Sequence, residues 1–373
     1  MHSPASSVPA STRPGSPATG ADETGVHRRK PATIPPVKLG LTLSYQHSPS
    51  DDIQVRLREH LEQTRISANL GFDAVLGIEH FLTPEYVMLH QPTFLARVAA
   101  EAGPMRVGTG IALAALHNPV ELADMIATLD VMTGGRAIFG VGLGYREEEF
   151  HAFGVEKKQS ARVFEAKLDV IGRLWAGEVV DAEGPGYRLA GAHTNLKPVQ
   201  QPRPPLWIAA SSDAAVRRAA RLGDAWFIGP HSSVEALEGQ LPVYREALRA
   251  AGKGDPAELP IAREVFIDET RERAWERARP YLETKYRVYS EWGQDKVLPD
   301  SDSFGLDYRE LGRDRFLIGT PDDVLAGLQD CERRLGVNLV IVRLQWAGME
   351  GAEAERALRL LGMEVLPGLK RVA

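Results

Sequence analysis

Eight short apolar runs, each followed by a segment with helical character, constrain this chain more than any other feature. They are Val37–Leu43, Phe72–Ile78, Met105–Leu113, Arg136–Val141, Leu206–Ala210, Ala225–Ile228, Ile261–Phe266 and Leu339–Val342. Strands that read as nearly continuous apolar runs, alternating with helices, belong to a parallel sheet covered on its helical side. Eight such units at near-even spacing predict an α/β fold of the (β/α)8 barrel type, in preference to an open doubly wound sheet. Local punctuation agrees. Asp51-Asp52 opens a helix that runs to Leu70, where acidic side chains suit the positive end of the dipole, and Gly71 closes it. Pro119 stands at a favourable first helical position before Val120–Met132, and Gly134-Gly135 ends that helix. Two stretches interrupt the alternation. Gly184–Pro205 is rich in Pro and Gly and reads as an irregular surface excursion. Glu291–Arg315 has no clear period and reads as an insertion that forms a mobile lid.

Residues 1–36 differ in kind. They are rich in Ser, Pro, Ala, Thr and Gly and offer almost no large apolar side chains, so they read as a disordered tail. The basic cluster His27-Arg28-Arg29-Lys30 is followed by Pro31, Pro35 and Pro36 instead of an apolar segment, which argues against a secretory signal. Residues 37–373 then form a single domain. The net charge of -6 argues against a nucleic-acid binder. No apolar run approaches the roughly 18 residues that a membrane span needs. Cys331 is the only cysteine, so the chain has no internal disulfide and no cysteine metal cluster, and the thiol is expected to be buried. A cytoplasmic protein without membrane or nucleic-acid partners is the expectation.

A barrel carries its reactive groups on the loops after the strands. Those loops hold Ser44–His47, Glu79-His80, Gly110–Leu113, Gly142–Tyr145, Ala210–Ser212, Gly229–His231 and Gln345-Trp346. The resulting mouth is aromatic and glycine-rich, with few carboxylates, which suits a flat apolar cofactor or substrate and suits a divalent metal poorly. His80, delivered where its strand stops, reads as a functional imidazole or a satisfied structural histidine, its place beside Glu79 at the strand end favouring the first. Glu79 either orients it or seals the strand end. Tyr45, Tyr145 and Trp346 are candidates for the substrate wall or for rim packing. Ser211-Ser212, between a strand and a helix, either holds a phosphate or caps the helix. Gly140–Gly144 lacks the GxGxxG spacing of a dinucleotide fingerprint; its glycines read as letting a flat ring approach the backbone.

The segment Met105–Gly154, together with GFDAVLGIEHF at Gly71–Phe81, the Arg162–Trp175 helix and Pro202–Phe227, closely resembles the bacterial luciferase-like superfamily of flavin-dependent oxidoreductases. The resemblance is strong from Val37 to about Trp226 and afterwards rests on length and element order. It implies a (β/α)8 barrel that binds reduced FMN, or in some branches the deazaflavin coenzyme F420, across the carboxyl ends of its strands. His80 matches the family's active-site histidine. Gly110-Ile111 matches the position of a non-prolyl cis peptide against the flavin ring, and Ser211 and Ser212 match the phosphate-binding turn. Asn118, Gly142, Gly144 and Tyr145 match further positions lining the cofactor pocket. The chain departs from the luciferase catalytic subunit at Gly142-Leu143, where that protein has cysteine followed by a phosphate-holding arginine.

What the resemblance implies for function is a monooxygenase that takes reduced FMN from a separate flavin reductase and uses O2 to oxygenate a small, partly apolar molecule. Two alternatives stay open: an F420-dependent oxidoreductase that transfers a hydride, and a flavin-binding homologue without turnover. The resemblance also implies a homo-oligomer.

Overall fold

A computed structural model describes residues 37–299 and 302–370; the expected tail over 1–36 lies outside them. Its strands are β1 (Lys38–Leu43), β2 (Ala74–Gly77), β3 (Arg106–Thr109), β4 (Ala112–Leu113), β5 (Ala137–Gly142), β6 (Val180–Gly184), β7 (Tyr187–Ala192), β8 (Leu206–Ala209), β9 (Ala225–Phe227), β10 (Pro260–Ile267), β11 (Phe316–Gly319) and β12 (Leu339–Arg343). The helices are α1 (Ile53–Leu70), α2 (Gln91–Ala99), α3 (Pro119–Thr133), α4 (Glu147–Ala152), α5 (Ser160–Ala176), α6 (Asp213–Leu222), α7 (Val234–Ala250), α8 (Arg271–Glu291), α9 (Tyr308–Gly312), α10 (Pro321–Leu335), α11 (Gly351–Leu360) and α12 (Leu366–Leu369).

Parallel pairing runs β10-β12-β1-β2-β3-β5-β8-β9. The ring closes where Ile228 N donates to Pro260 O at 2.9 Å and Ala262 N donates to Ile228 O at 2.8 Å. Each strand of this (β/α)8 barrel coincides with one of the eight apolar runs. Alternation within a strand sets the two sides. Leu76, Ile138, Trp207, Phe227 and Ile341 fill the barrel, while Val75, Val107, Phe139 and Val340 face the helices. Near the carboxyl ends the inward positions turn polar: Thr42, Glu264 and Arg343.

Caps work as the side chains predict. Asp52 accepts from Gln54 N and Val55 N at the start of α1, and Gly71 ends it at φ 81°, a conformation that favours glycine. Among the described residues, no helix is long and apolar enough to cross a membrane. Cys331 is buried on α10 and free.

The structure corrects four segments. The third run is broken by a cis Gly110–Ile111 peptide into β3 and β4. The stretch read as irregular from Gly184 contains most of an antiparallel hairpin, β6–β7. Its strands alternate between exposed and half-buried residues, so they lack the apolar stripe that marks a strand. A ninth parallel strand, β11, flanks the far half of β10 and is only four residues long. Finally, α8 runs on to Glu291, and the following segment is not featureless: α9 packs with Phe266, Leu282, Tyr286 and Phe316 in a small second core.

Candidate active site

A cavity of about 260 Å³ opens at the carboxyl ends of the strands. It brings together His80 after β2, Gly110 and Ile111 at the cis bond, Gly142 at the end of β5, Gly144 and Tyr145 after it, and Ser211 and Ser212 before α6. The same cavity is lined by His231 after β9, Tyr289 of α8 and Arg343 of β12. Asn118 is not among the lining residues. It caps α3, its Oδ1 accepting from Val120 N at 2.9 Å, and donates through Nδ2 to Gly186 O in the hairpin turn at 3.1 Å.

His80 is held at both ring nitrogens. Glu149 Oε1 lies 3.0 Å from Nδ1 and also accepts from Phe81 N at 2.9 Å. Arg146 Nη1 lies 3.4 Å from the same oxygen. Burial acts to raise the Glu149 carboxyl, but the bond from His80, the Phe81 N–H and Arg146 hold it below the usual carboxylate range. An ionised Glu149 is an acceptor only, so Nδ1 carries the proton. Nε2 then faces the Tyr145 hydroxyl at 3.4 Å. Burial first, then neighbouring Tyr289 and Glu149, push the Tyr145 phenol well above its ordinary value, so it stays a donor.

Glu79 does not orient His80. Adjacent residues at a strand end point to opposite sides. Glu79 instead accepts from Leu113 N at 2.7 Å and sits 2.9 Å from His117 Nε2, tying β2 to β4. Glu149 was hidden in sequence within Glu147-Glu148-Glu149, which reads as an ordinary acidic first turn. Only the third of these is buried, and no local pattern reports that.

Two of the three aromatic candidates for the substrate wall are elsewhere. Tyr45 is fully buried against Phe94, its hydroxyl donating to Ile78 O, and Trp346 is buried with Nε1 donating to Glu264 Oε2 at 2.9 Å. Tyr145 remains, and Tyr289 joins it, 5.2 Å from the His231 ring and 6.1 Å from the His80 ring by centroids. Burial first, then Lys285 and Arg343, drive His231 well below the ordinary imidazole value, so it is neutral.

The glycines are set by packing more than by ring access. A Cβ on Gly142 would meet Ile111 Cδ1 at 2.5 Å, and one on Gly110 would meet Leu76 Cβ at 2.8 Å. At the other end of the cavity, Ser212 caps α6 by accepting from Ala215 N at 3.4 Å, while Gln240 donates to Ser211 O at 2.8 Å. Capping and an anion-ready helix start therefore coincide at this turn. The segment after α8 covers the mouth: Gln294 and Val297 line the cavity, Trp292 stacks 4.3 Å from the Arg146 guanidinium and donates to Glu85 Oε2 at 3.2 Å.

Residues 37–339 match the family model described as luciferase-like monooxygenase. Among solved structures, the chain is similar to the monooxygenase RslO1 from Streptomyces bottropensis, with 27% identity, a TM-score of 0.78 and coverage of 88% of this chain and 99% of that one. It shares its fold with the oxygenating constituent of 3,6-diketocamphane monooxygenase from Pseudomonas putida in complex with FMN, at 19% identity, TM-score 0.73, and 89% and 98% coverage. Among curated relatives, an F420-dependent glucose-6-phosphate dehydrogenase of Nakamurella multipartita is 31% identical over 66% of this chain and 73% of its own. A phthiodiolone/phenolphthiodiolone dimycocerosates ketoreductase of a Mycobacterium strain is 33% identical over half of each chain, and an uncharacterised Sinorhizobium fredii protein matches over 56% of its own length. The match thus spans about half the length of these last two relatives. Matched over 303 consecutive residues, the chain belongs to the luciferase-like monooxygenase family.

Proposed function

We propose that this protein is a flavin-dependent monooxygenase that uses reduced FMN and O2 to oxygenate a small, partly apolar molecule. One observation carries the reading: His80 and the Ser211–Ser212 turn, far apart in sequence, line a single cavity. The residues present fit a flavin. Two serines at a helix N-terminus offer hydroxyl and backbone N–H donors suited to a phosphate. The cavity between them and His80 is bounded by apolar groups, including Ile78, Ile111, Leu143 and Phe227. His231 Nε2 is buried there without a protein partner.

Ser211, Ser212 and the first N–H groups of α6 would hold the phosphate, and Gly110, Ile111, Gly142, Gly144 and Tyr145 would border the ring. Bound reduced flavin supplies electrons for O2 activation, a chemistry no side chain offers. The protein's part is binding, orientation, exclusion of water and one proton. With Nδ1 committed to Glu149, His80 accepts or returns that proton at Nε2. The 292–297 segment shuts water out above it. A separate reductase delivers the reduced flavin.

A second reading, an F420-dependent oxidoreductase, is favoured by the identity to the Nakamurella enzyme. Titration of the purified protein with reduced FMN and with F420, followed by O2 consumption after each, separates the two. The expected result is tight binding of reduced FMN and altered kinetics of its oxidation by O2. Tight binding of F420 with no binding of reduced FMN overturns the proposal.

A further inference from the structure

One wall of the cavity carries more cations than carboxylates: Glu264 and the Tyr289 hydroxyl favour the Arg343 charge, but Glu264 serves Lys285 as well. Arg343 is 6% exposed, lines the cavity and donates through Nη2 to the neutral Gln46. Its Nε has no hydrogen-bond partner and lies 3.9 Å from Glu264 Oε2. Glu264 is already engaged: it pairs with Lys285 and accepts from Trp346 Nε1. Among the described residues, Glu264 is the only carboxylate in ion-pair range of either Lys285 or Arg343. Two buried cations therefore share one carboxylate. Of the other buried cations nearby, Arg315 pairs with Asp302 and Arg146 with Glu149, while Arg263, which does not line the cavity, donates only to the Gly229 and Ala262 carbonyls. Glu79, the cavity's lining carboxylate, is held through Oε2 by Leu113 N and His117, while its Oε1 has no partner.

Two buried cations that share one counter-ion are costly unless something else supplies further negative charge. Beside Arg343, His231 Nε2 is also unpartnered, and Ile78, Ile111, Leu143, Phe227 and Tyr289 give the cavity a large apolar and aromatic surface. We infer that the substrate carries an anionic oxygen (a carboxylate, phenolate or enolate) on an otherwise flat apolar body, and that Arg343 anchors that oxygen with His231 beside it. This rests on the reading of the cavity as a monooxygenase site.

Lys285 supports the inference. Burial, with Arg343 adding to it, pulls its ammonium down to about 8 even though Glu264 opposes the shift. The groups facing it are Glu264, Arg343, Tyr286, Tyr289 and His231. The surplus charge is present below pH 8 and fades as the pH rises through it, because Glu264 then balances Arg343 alone.

The test uses the full chain without flavin and two probes of equal shape, 2-naphthoate and its uncharged amide 2-naphthamide, titrated calorimetrically at pH 7. Naphthoate is expected to bind at least about tenfold tighter, the scale of one charge-assisted contact in a dry site. That preference should shrink above pH 8 and disappear in Arg343→Gln. Equal affinity of the two probes for the native protein overturns the inference, and that comparison holds even if the variant does not fold. It is also overturned if Arg343→Gln keeps the preference, or if the variant loses only affinity for reduced over oxidised FMN, since the charge then serves the cofactor. Failure of FMN to bind at all would count against the monooxygenase reading and leave the probe result intact.

Discussion

The two ends of the barrel hold polar groups in opposite ways. At the amino-terminal end, Lys38, Asp73, Arg106 and Glu258 satisfy one another: Arg106 donates to Asp73 at 2.8 Å through Nε and to Glu258 at 2.7 Å through Nη1, and Lys38 lies 3.3 Å from both carboxylates. Asn338 on the same face bonds Ala257 O and Leu259 N, each at 2.9 Å. At the carboxyl-terminal end, Glu79 Oε1, His231 Nε2 and Arg343 Nε are buried without partners. The amino-terminal cavity is the larger, at about 450 Å³, so size does not mark the site. What separates the ends is unmet bonding capacity, which a ligand can satisfy. One end closes the fold, and the other is where we propose that the chemistry takes place.

Substitutions at the two ends should therefore separate activity from stability. The largest expected effect is at His80. His80→Ala should lower turnover by about 100-fold or more, the range for losing an acid/base group, while flavin still binds; unchanged turnover removes that role. Next is Arg106→Met, which leaves Asp73 and Glu258 short of donors. A urea midpoint shift equivalent to about 1–3 kcal/mol is expected, with activity per folded molecule unchanged. If activity per folded molecule falls, the contrast between the ends is wrong. The smallest effect is at Glu149. Glu149→Gln keeps a carbonyl acceptor but loses the charge, and kcat should fall about tenfold with FMN affinity unchanged, as for other partners that orient a catalytic histidine. Loss of FMN binding together with kcat would mean that Glu149 shapes the pocket instead of the imidazole.

Much of the site was legible because strand ends are legible. Once Phe72–Ile78 and Leu206–Ala210 are read as barrel strands, His80 and Ser211-Ser212 must stand at the same rim. Adjacency in sequence does not settle side-chain direction. Glu79 reads as either orienting His80 or sealing the strand end, and the pleat sends it to Leu113 and His117, the sealing role. Asn118, expected at the cofactor pocket from the resemblance, instead caps α3 and does not line the cavity. The hairpin at 180–192 and the four-residue β11 escaped because short or two-sided polar strands carry no apolar period.

The sequence alone determined the eight-fold βα alternation, the caps that divide it and the loops that share the barrel rim, since each follows from local periodicity and backbone preference. Only the tertiary structure decided that Glu149, on a separate helix, holds His80, and that Arg343 stands buried with an incomplete set of partners. Those facts depend on side chains meeting across the barrel in an environment of low polarity, and no stretch of chain taken by itself contains that meeting.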